Sequence, residues 1–352
     1  MSADRIESTE VTRERVLERI REDSHFVLAA HEGPDGDALG SLVGMQGLLS
    51  ALGKDSQMFI APEDLPLPYE YRFFTLDGLI SSPPQDIAQR TVVFLDCGNI
   101  DRNSAGVLQQ GRHLLNIDHH HDNTRFGTLD HVVPQASCTA EIVWDLMHGL
   151  GVGPTPLLAR ALYVGLITDT GRFMYENTGP RAHEMAAELI SAGVDVQDVY
   201  RRLYEEMPAA KISLLALALG QIRRFDAGEL TLAALSAEDF MRVGAEDSYS
   251  EGIIDHLRAI QGTKVAALVR ELSGGATDDR ARRKVSLRAT DDDVDVSVIA
   301  REQGGGGHRR AAGFTTTLEV EPLIEFLRAA LAAQLHAAGR SEIPFDLRSA
   351  PA

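Results

Sequence analysis

Three short apolar runs that each end in a cluster of acids or imidazoles constrain this chain more than any other feature. HFVLAA (25–30) leads into His31-Glu-Gly-Pro-Asp35-Gly-Asp37. TVVFLD (91–96) closes on Asp96, and HLLNID (113–118) leads into Asp118-His119-His120-His121-Asp122-Asn123. Each run has the length of a buried strand, and the first is followed by a Gly/Pro/Asp loop and then by helical spacing over 38–52. Strand, loop, helix is the opening unit of a parallel sheet covered by helices. The spacing predicts further helices over 137–150, 155–168 and 181–192, and an amphipathic one over 11–22 that carries Val11, Val16, Leu17 and Ile20. Open sheets of this kind bind ligands beyond the carboxyl ends of their strands, so three polar strand ends predict one shared site.

The pattern changes after about residue 195. Residues 196–214 read as a helical connector. Alternating runs follow: ELTLAALS (229–236), KVAALVREL (264–272) and KVSLRAT (284–290), with a hairpin-like loop, SGGATDDRAR, at 273–282. GGGGH (304–308) follows a short helical segment, and a closing helix is expected over 320–338. The expectation is an α/β protein with a first domain over 11–195, a connector over 196–214 and a smaller α/β domain over 215–340. Residues 1–10 and 340–352 are expected as loose ends.

Composition removes some classes of function. With 44% apolar and 24% charged residues in 352, the chain is that of a globular protein with a well-buried core. A net charge of −18 argues against duplex DNA, which needs a basic face. It leaves room for a small phosphate ligand, because arginines and bound cations can reverse the field locally. Two cysteines, Cys97 and Cys138, and an N-terminus without a secretory apolar stretch give a reduced, cytoplasmic expectation. No run reaches the roughly 18 apolar residues that span a membrane.

Four segments carry candidate chemistry. His31, Asp35 and Asp37 place an imidazole and two carboxylates within seven residues after a strand, in a loop tightened by Gly33, Pro34 and Gly36. Mixed nitrogen and oxygen donors suit a divalent first-row ion such as manganese better than a thiolate site would. An Asp/Gly turn with a helix cap at Asp37 is the plainer reading. Asp96 alone is a strand-end acid. Asp118 to Asn123 sets three adjacent imidazoles between acids, which can fix ring orientation in a ligating histidine. Asp169, in Thr168-Asp169-Thr170-Gly171, alone reads as a helix-end loop. Together they supply the six or so ligands that two ions sharing a carboxylate require. Such ions sit ~3.5–4 Å apart and clamp both oxygens of a phosphoryl transfer.

At these residues the sequence resembles the DHH phosphoesterase superfamily, through HxxPDxDAxGS (31–41), the strand-end Asp96, DHHxxN (118–123) and TDTG (168–171). The second domain resembles the DHH-associated domain through Gly304-Gly-Gly-Gly307-His308-Arg-Arg-Ala-Ala-Gly313-Phe314 and VDVSVIA (294–300). Within the superfamily the chain is most similar to the nanoRNase type, whose members are oligoribonucleases and 3′-phosphoadenosine 5′-phosphate (pAp) phosphatases; some act on cyclic di-AMP or its linear product pApA. The resemblance implies that His31, Asp35 and Asp96 hold one metal ion, and that Asp37, Asp96, His119 and Asp169 hold the other, with Asp96 bridging. It implies that His120 faces the substrate phosphate, with Asp118 beside it in the catalytic set. Arg102 and Asn123 are implied as supporting or phosphate-contacting groups. Arg288, Gly305, Gly306, Gly307 and His308 are implied as substrate-binding residues of the second domain, and a homodimer is implied as the assembly.

Glycine lets backbone N–H groups approach a phosphate, so the glycine run flanked by His308, Arg309 and Arg310 is read as a phosphate or terminal-nucleotide site rather than as a linker. Phe314 and Cys97 are read as packed core residues. The expected activity is hydrolysis of di- to pentanucleotides and pAp to 5′-mononucleotides. Two ions activate a water, and His120 or a metal-bound water protonates the leaving oxygen. A pyrophosphatase or short-chain polyphosphatase of the same superfamily, an exonuclease on single-stranded DNA, and a catalytically silent nucleotide-sensing protein remain as alternatives.

Overall fold

The apolar runs are central strands of one parallel sheet. The computed structural model describes residues 7–103, 105–272 and 281–339, and the chain divides into two compact units, Met1–Glu206 and Met207–Ala352. Helix α1 (Thr9–Glu22) precedes β1 (His25–Ala29), α2 (Gly36–Ala51), β2 (Asp55–Phe59), β3 (Leu79–Ile80), β4 (Thr91–Leu95), β5 (His113–Asp118) and β6 (Leu129–Val132). Helices α3 (Thr139–Gly149), α4 (Pro156–Asp169) and α5 (Pro180–Ser191) follow. The strands lie in the order β3-β2-β1-β4-β5-β6, all pairs parallel.

That order fixes where chemistry can happen. The chain starts at β1 in the middle, winds outward through β2 and β3, then crosses back to lay β4 beside β1 and winds the other way. Between β1 and β4 the winding reverses, and a crevice opens outside their carboxyl ends. The loop after β1 and the residues after β4 and β5 all emerge there.

Helix α2 (GDALGSLVGMQGLLSA) is apolar around most of its circumference and is buried on several sides. It packs closely on α4. The contact is possible because a Cβ at Gly40 would lie 2.5 Å from the Ala161 carbonyl oxygen. The first core joins Phe26 and Leu28 of β1 to Leu39, Leu42, Met45 and Leu49 of α2 and Leu162 and Leu166 of α4. Val27, Val92 and Phe94 fill the opposite face of the sheet. Helix α1 is tied to β6 by Thr12, whose hydroxyl meets His131 Nδ1 at 2.9 Å. Burial pushes His131 down to about 4, so it is a neutral packed histidine.

After α5 come a short helix α6 (Val196–Tyr200), a single π-helical turn over Arg201–Glu205, and α7 (Ala209–Gly220). The division between units falls after Glu206, inside the expected connector, and α7 packs on elements of the second unit. These are β7 (Arg223–Phe225), β8 (Leu230–Leu235), α8 (Ala237–Val243), α9 (Ile253–Arg258), β9 (Val265–Glu271), β10 (Arg283–Ala289), α10 (Val296–Arg301), β11 (Gly306–His308), β12 (Ala311–Thr316) and α11 (Val320–Ala337). Their sheet runs β11-β12-β10-β9-β8-β7; β8 and β9 are parallel and the other neighbours antiparallel. Leu232, Val265, Val285, Leu287 and Phe314 meet Leu323, Leu327 and Leu331 of α11 in a second core. Phe314 is therefore a core residue, edge-on to Phe326. Most of the expected 273–282 hairpin loop lies outside the described residues.

Candidate metal centre

All six candidate ligands gather in groups around Asp96 at the switch point. Asp96 directly follows β4, is buried, and has a left-handed backbone (φ 57°) while its N–H still donates to Ile117 across the sheet. Asp is among the few residue types that visit this region readily, and such backbone turns cluster at functional sites. His31 Nε2 lies 3.6 Å from Asp96 Oδ2 and 3.9 Å from Asp35 Oδ1. His119 Nε2 lies 3.7 Å from Asp96 Oδ1 and 3.6 Å from Asp169 Oδ2. Ligand atoms of His31, Asp35 and Asp96 form one group within 4.8 Å, and those of Asp37, His119 and Asp169 form another. A third such group joins Asp96 to His119 and His120, so Asp96 stands between the two sets.

The donors suit cations. These nitrogen–oxygen separations are too long for hydrogen bonds, yet both atoms of each pair can reach one ion at about 2.0–2.2 Å. In His31, Nδ1 meets the Glu32 carbonyl at 2.8 Å, and in His119, Nδ1 meets the Ala136 carbonyl at 3.4 Å. Donation from Nδ1 in both rings aims Nε2 at the carboxylates, as the atom that would ligate once a cation displaced its proton.

The electrostatics point the same way. Burial, then the neighbouring Asp96 and Asp169 charges, push Asp37 well above the usual carboxylate range. Burial likewise carries Asp169 up to about 7, against the opposing His119. Burial also works against ionised Asp96, but His31, His120 and His119 outweigh it and hold Asp96 far below the usual range. His119 is pushed up to about 9, because Asp169, Asp96 and Asp37 outweigh the burial that would lower it. A divalent cation held here would displace protons from these groups.

Other elements hold the ligands in place. Asp35, not Asp37, caps α2, accepting from the N–H groups of Asp37 and Ala38 at 3.1 Å each. This frees Asp37 to point at the start of α3. There its two oxygens accept from the N–H groups of Thr139 (2.6 Å) and Ala140 (2.9 Å), where the helix dipole favours negative charge. The Thr139 hydroxyl donates to Asp96 at 3.0 Å. Asn177 donates to the Asp169 carboxylate at 3.1 Å and to the Ser137 carbonyl at 2.7 Å. Sequence reasoning missed Thr139 and Asn177, which are neutral residues in segments without a charged pattern.

The remaining candidates divide. Asp118 is buried; one oxygen accepts from His120 Nδ1 at 2.7 Å and the other from Asn123 Nδ2 at 2.5 Å. Burial would lower the His120 pKa, but the Asp118 hydrogen bond and the charges of Asp96 and Asp118 outweigh it and raise it above that of a free imidazole. Asn123 spends its carbonyl oxygen on Asn116 and on the Arg125 N–H, so its bonds support the loop. Arg102 lies on a 3-10 turn close enough for its charge to act on His31. Cys97 and Cys138 are buried free thiols. In the second unit, Arg288 on β10 donates to the Leu287 carbonyl at 3.1 Å. A Cβ at Gly305 would lie 2.2 Å from the Gly313 carbonyl oxygen, and one at Gly307 would lie 2.5 Å from that of Ala311. Packing against β12 therefore already demands glycine at both positions, and Gly306 is the one with open space around it. The His308 side chain lies outside the described residues.

A doubly wound parallel sheet with an imidazole–carboxylate cluster at its switch point, followed by a second α/β unit, is the architecture of a two-domain phosphoesterase. Residues 25–166 match the DHH family, N-terminal domain, and residues 235–336 match the DHHA1 domain. The chain is 34% identical over 314 residues to the bifunctional oligoribonuclease and PAP phosphatase NrnA of Thermus thermophilus, covering 89% of this chain and 90% of that protein. It is 25% identical to the NrnA of Bacillus subtilis, covering 82% and 88%. An exopolyphosphatase-related protein from Bacteroides fragilis has the same fold, with a TM-score of 0.84, 22% identity, and coverage of 94% and 98%. The chain belongs to the DHH family. Among the described residues no helix is long and apolar enough to cross a membrane.

Proposed function

We propose that this protein hydrolyses di- to pentaribonucleotides and pAp to 5′-mononucleotides, with pApA and cyclic di-AMP as related substrates. In this reading it uses two divalent ions, manganese foremost, and works in the cytoplasm as a homodimer. The observation that carries the reading is the pair of ligand groups on either side of Asp96, in a chain whose relatives are named oligoribonucleases and PAP phosphatases. His31, Asp35 and Asp96 would hold one ion; Asp37, Asp96, His119 and Asp169 would hold the other. When bound, such ions activate a water and neutralise charge on the phosphate. His120, held by Asp118 and readily protonated, contacts the phosphate and delivers a proton to the leaving ribose oxygen. Asn123 keeps Asp118 in register, and Arg102 adds positive charge beside His31. In the second unit, Arg288, Gly305, Gly306, Gly307 and His308 take the nucleotide end, Gly306 offering the open backbone.

A manganese-supplemented panel over pAp, pApA, cyclic di-AMP, pyrophosphate and RNA of increasing length tests this reading. AMP and phosphate should appear from pAp, and 5′-mononucleotides from short RNA, with slower turnover of a long strand. Asp118→Ala combined with His119→Ala should lower turnover by about a thousand-fold or more while the circular dichroism spectrum is retained. Near-normal activity in that variant, or equal rates on a dinucleotide and a long strand, would overturn the assignment. Turnover of pyrophosphate alone would make it a pyrophosphatase.

A further inference from the structure

Among the described residues of the first unit, four arginines lie on aromatic rings, and three of them, Arg160, Arg172 and Arg202, share the rings of Phe73 and Tyr204 and take no part in the proposed chemistry. Arg172 follows Asp169 by three residues. Both Arg172 and Phe173 have left-handed backbones (φ 64° each), a conformation that non-glycine residues adopt only when their surroundings hold them there. The turn is held by the Arg172 N–H on the Ile167 carbonyl (2.8 Å), the Phe173 N–H on the Thr170 hydroxyl (3.2 Å) and Phe173 stacked on His183. Its result is to place the Arg172 guanidinium over the Tyr204 ring, 5.1 Å from the centroid. Tyr204 belongs to the π-helical turn, a feature found often at functional sites. From the same turn Arg202 lies over Phe73 at 5.6 Å, and Arg160 of α4 lies over that ring at the same distance.

Arg202 shares Asp198, but among the described residues Arg160 and Arg172 have no carboxylate partner. In a chain of net charge −18, two guanidiniums without a carboxylate partner, linked through the turn that carries Arg202 and Tyr204, stand out. A guanidinium whose face rests on a ring still presents its N–H edges, the geometry that binds phosphate oxygens. Arg160 precedes Asp169 by nine residues of one helix, about 13 Å along its axis, whereas Arg172 adjoins the ligand. Met174 and Tyr175, 81% and 47% exposed, border the Arg172 end with apolar surface on which a base can stack.

We propose that Arg160, Arg172 and Arg202, mounted on Phe73 and Tyr204, form a backbone-binding track for the nucleotides beyond the scissile phosphate. The inference rests on the functional reading above and deepens it: the track makes a pentanucleotide a better ligand than pAp, which has no further nucleotides to place there.

The test combines Arg160→Gln with Arg172→Asn, since asparagine tolerates the left-handed backbone. kcat and KM are measured on pAp and on a pentanucleotide at several salt concentrations. KM for the pentanucleotide should rise about tenfold with pAp kinetics unchanged. The salt dependence for the pentanucleotide should flatten by about 1.4 log units per decade, at ~0.7 for each lost phosphate contact on a single strand. Lysine at both positions should return the salt slope, because the charges are back, and only part of the KM, because an ammonium lacks the planar fork that rests on the rings. An equal loss on pAp, no loss on the pentanucleotide, or an unchanged salt slope would overturn the track. So would a change in oligomeric mass with kinetics intact, which would make the patch a protein interface. Should the wild-type chain turn over no nucleotide, the functional reading fails on its own. Titration of a labelled pentanucleotide into wild type and variant then reads the track directly, and equal affinities would sink it.

Discussion

Thr139 governs two of the cluster's acids without carrying charge. Its N–H holds Asp37 and its hydroxyl holds Asp96, so one residue at the start of α3 sets the orientation of a carboxylate from α2 and another after β4. Groups that orient metal-holding carboxylates are worth roughly 10–100-fold in affinity. Thr139→Val keeps the shape and the backbone donor and removes only the hydroxyl. The manganese concentration for half-maximal activity should rise by about that factor with kcat at saturation nearly unchanged; an unaltered metal requirement would show that Asp96 is oriented without it. The same residue marks the limit of sequence reading. His31, Asp35, Asp37 and His119 announce themselves because imidazoles and acids crowd a strand end. Asp96 and Asp169 are legible only through the whole pattern. Thr139 and Asn177 act through geometry that arises when α3 and the loop after α4 are brought to the sheet, and nothing in their local composition encodes that meeting.

Helices α2 and α4 lie so close that glycine, not a larger residue, forms their seam. A Cβ at Gly40 would lie 2.5 Å from a backbone oxygen of α4, and one at Gly165 would lie 2.8 Å from Asp37 Oδ1 and 2.7 Å from the Ala140 Cβ. In an exposed helix, alanine in place of glycine adds about 1 kcal/mol of stability. Here the sign reverses, because overpacking costs about 1–3 kcal/mol. Gly40→Ala should lower the urea midpoint and leave the metal requirement close to wild type once folded. Gly165→Ala should lower the midpoint and also weaken metal binding, since the new methyl displaces the Asp37 carboxylate. A Gly165→Ala protein as stable as wild type, with an unchanged metal requirement, would show that the seam is looser than these distances. The elements themselves were unevenly legible. Helices α2 to α5 and α11 and strands β1, β4, β5, β8, β9 and β10 follow their apolar runs to within a few residues. Strand β2 (DSQMF) opens on three polar residues, β6 (LDHV) carries Asp130 and His131 between its apolar ends, and β3 and β7 have two and three residues, so no apolar run develops in them.

At the scale of the molecule, α/β character was legible, but the strand order was not. Each strand–helix unit looks alike locally; the return of the chain from β3 to lay β4 against β1 is a long-range pairing that creates the switch point. The division between the units falls inside the expected 196–214 connector. Helix α7 reads as connector by composition, yet packs on β8, α8 and α9 and so belongs to the second unit. One consequence concerns metals. Every candidate ligand lies between His31 and Asp169, in the first unit, where Asp37, Asp96 and Asp169 repel one another. A cation that binds the folded cluster and not the unfolded chain stabilises that unit by RT ln(1 + [L]/Kd), about 2.7 kcal/mol at a hundredfold excess over Kd. Hydrogen exchange on the full chain separates the units. Manganese should slow exchange in β1, β4, β5, α2 and α4 by up to about a hundredfold, leave the core amides of β9, β10 and α11 unchanged, and lose its effect on chelation. Equal protection in both units would mean that they unfold as one body. Protection confined to the second unit would place the metals elsewhere and remove the basis for the site around Asp96.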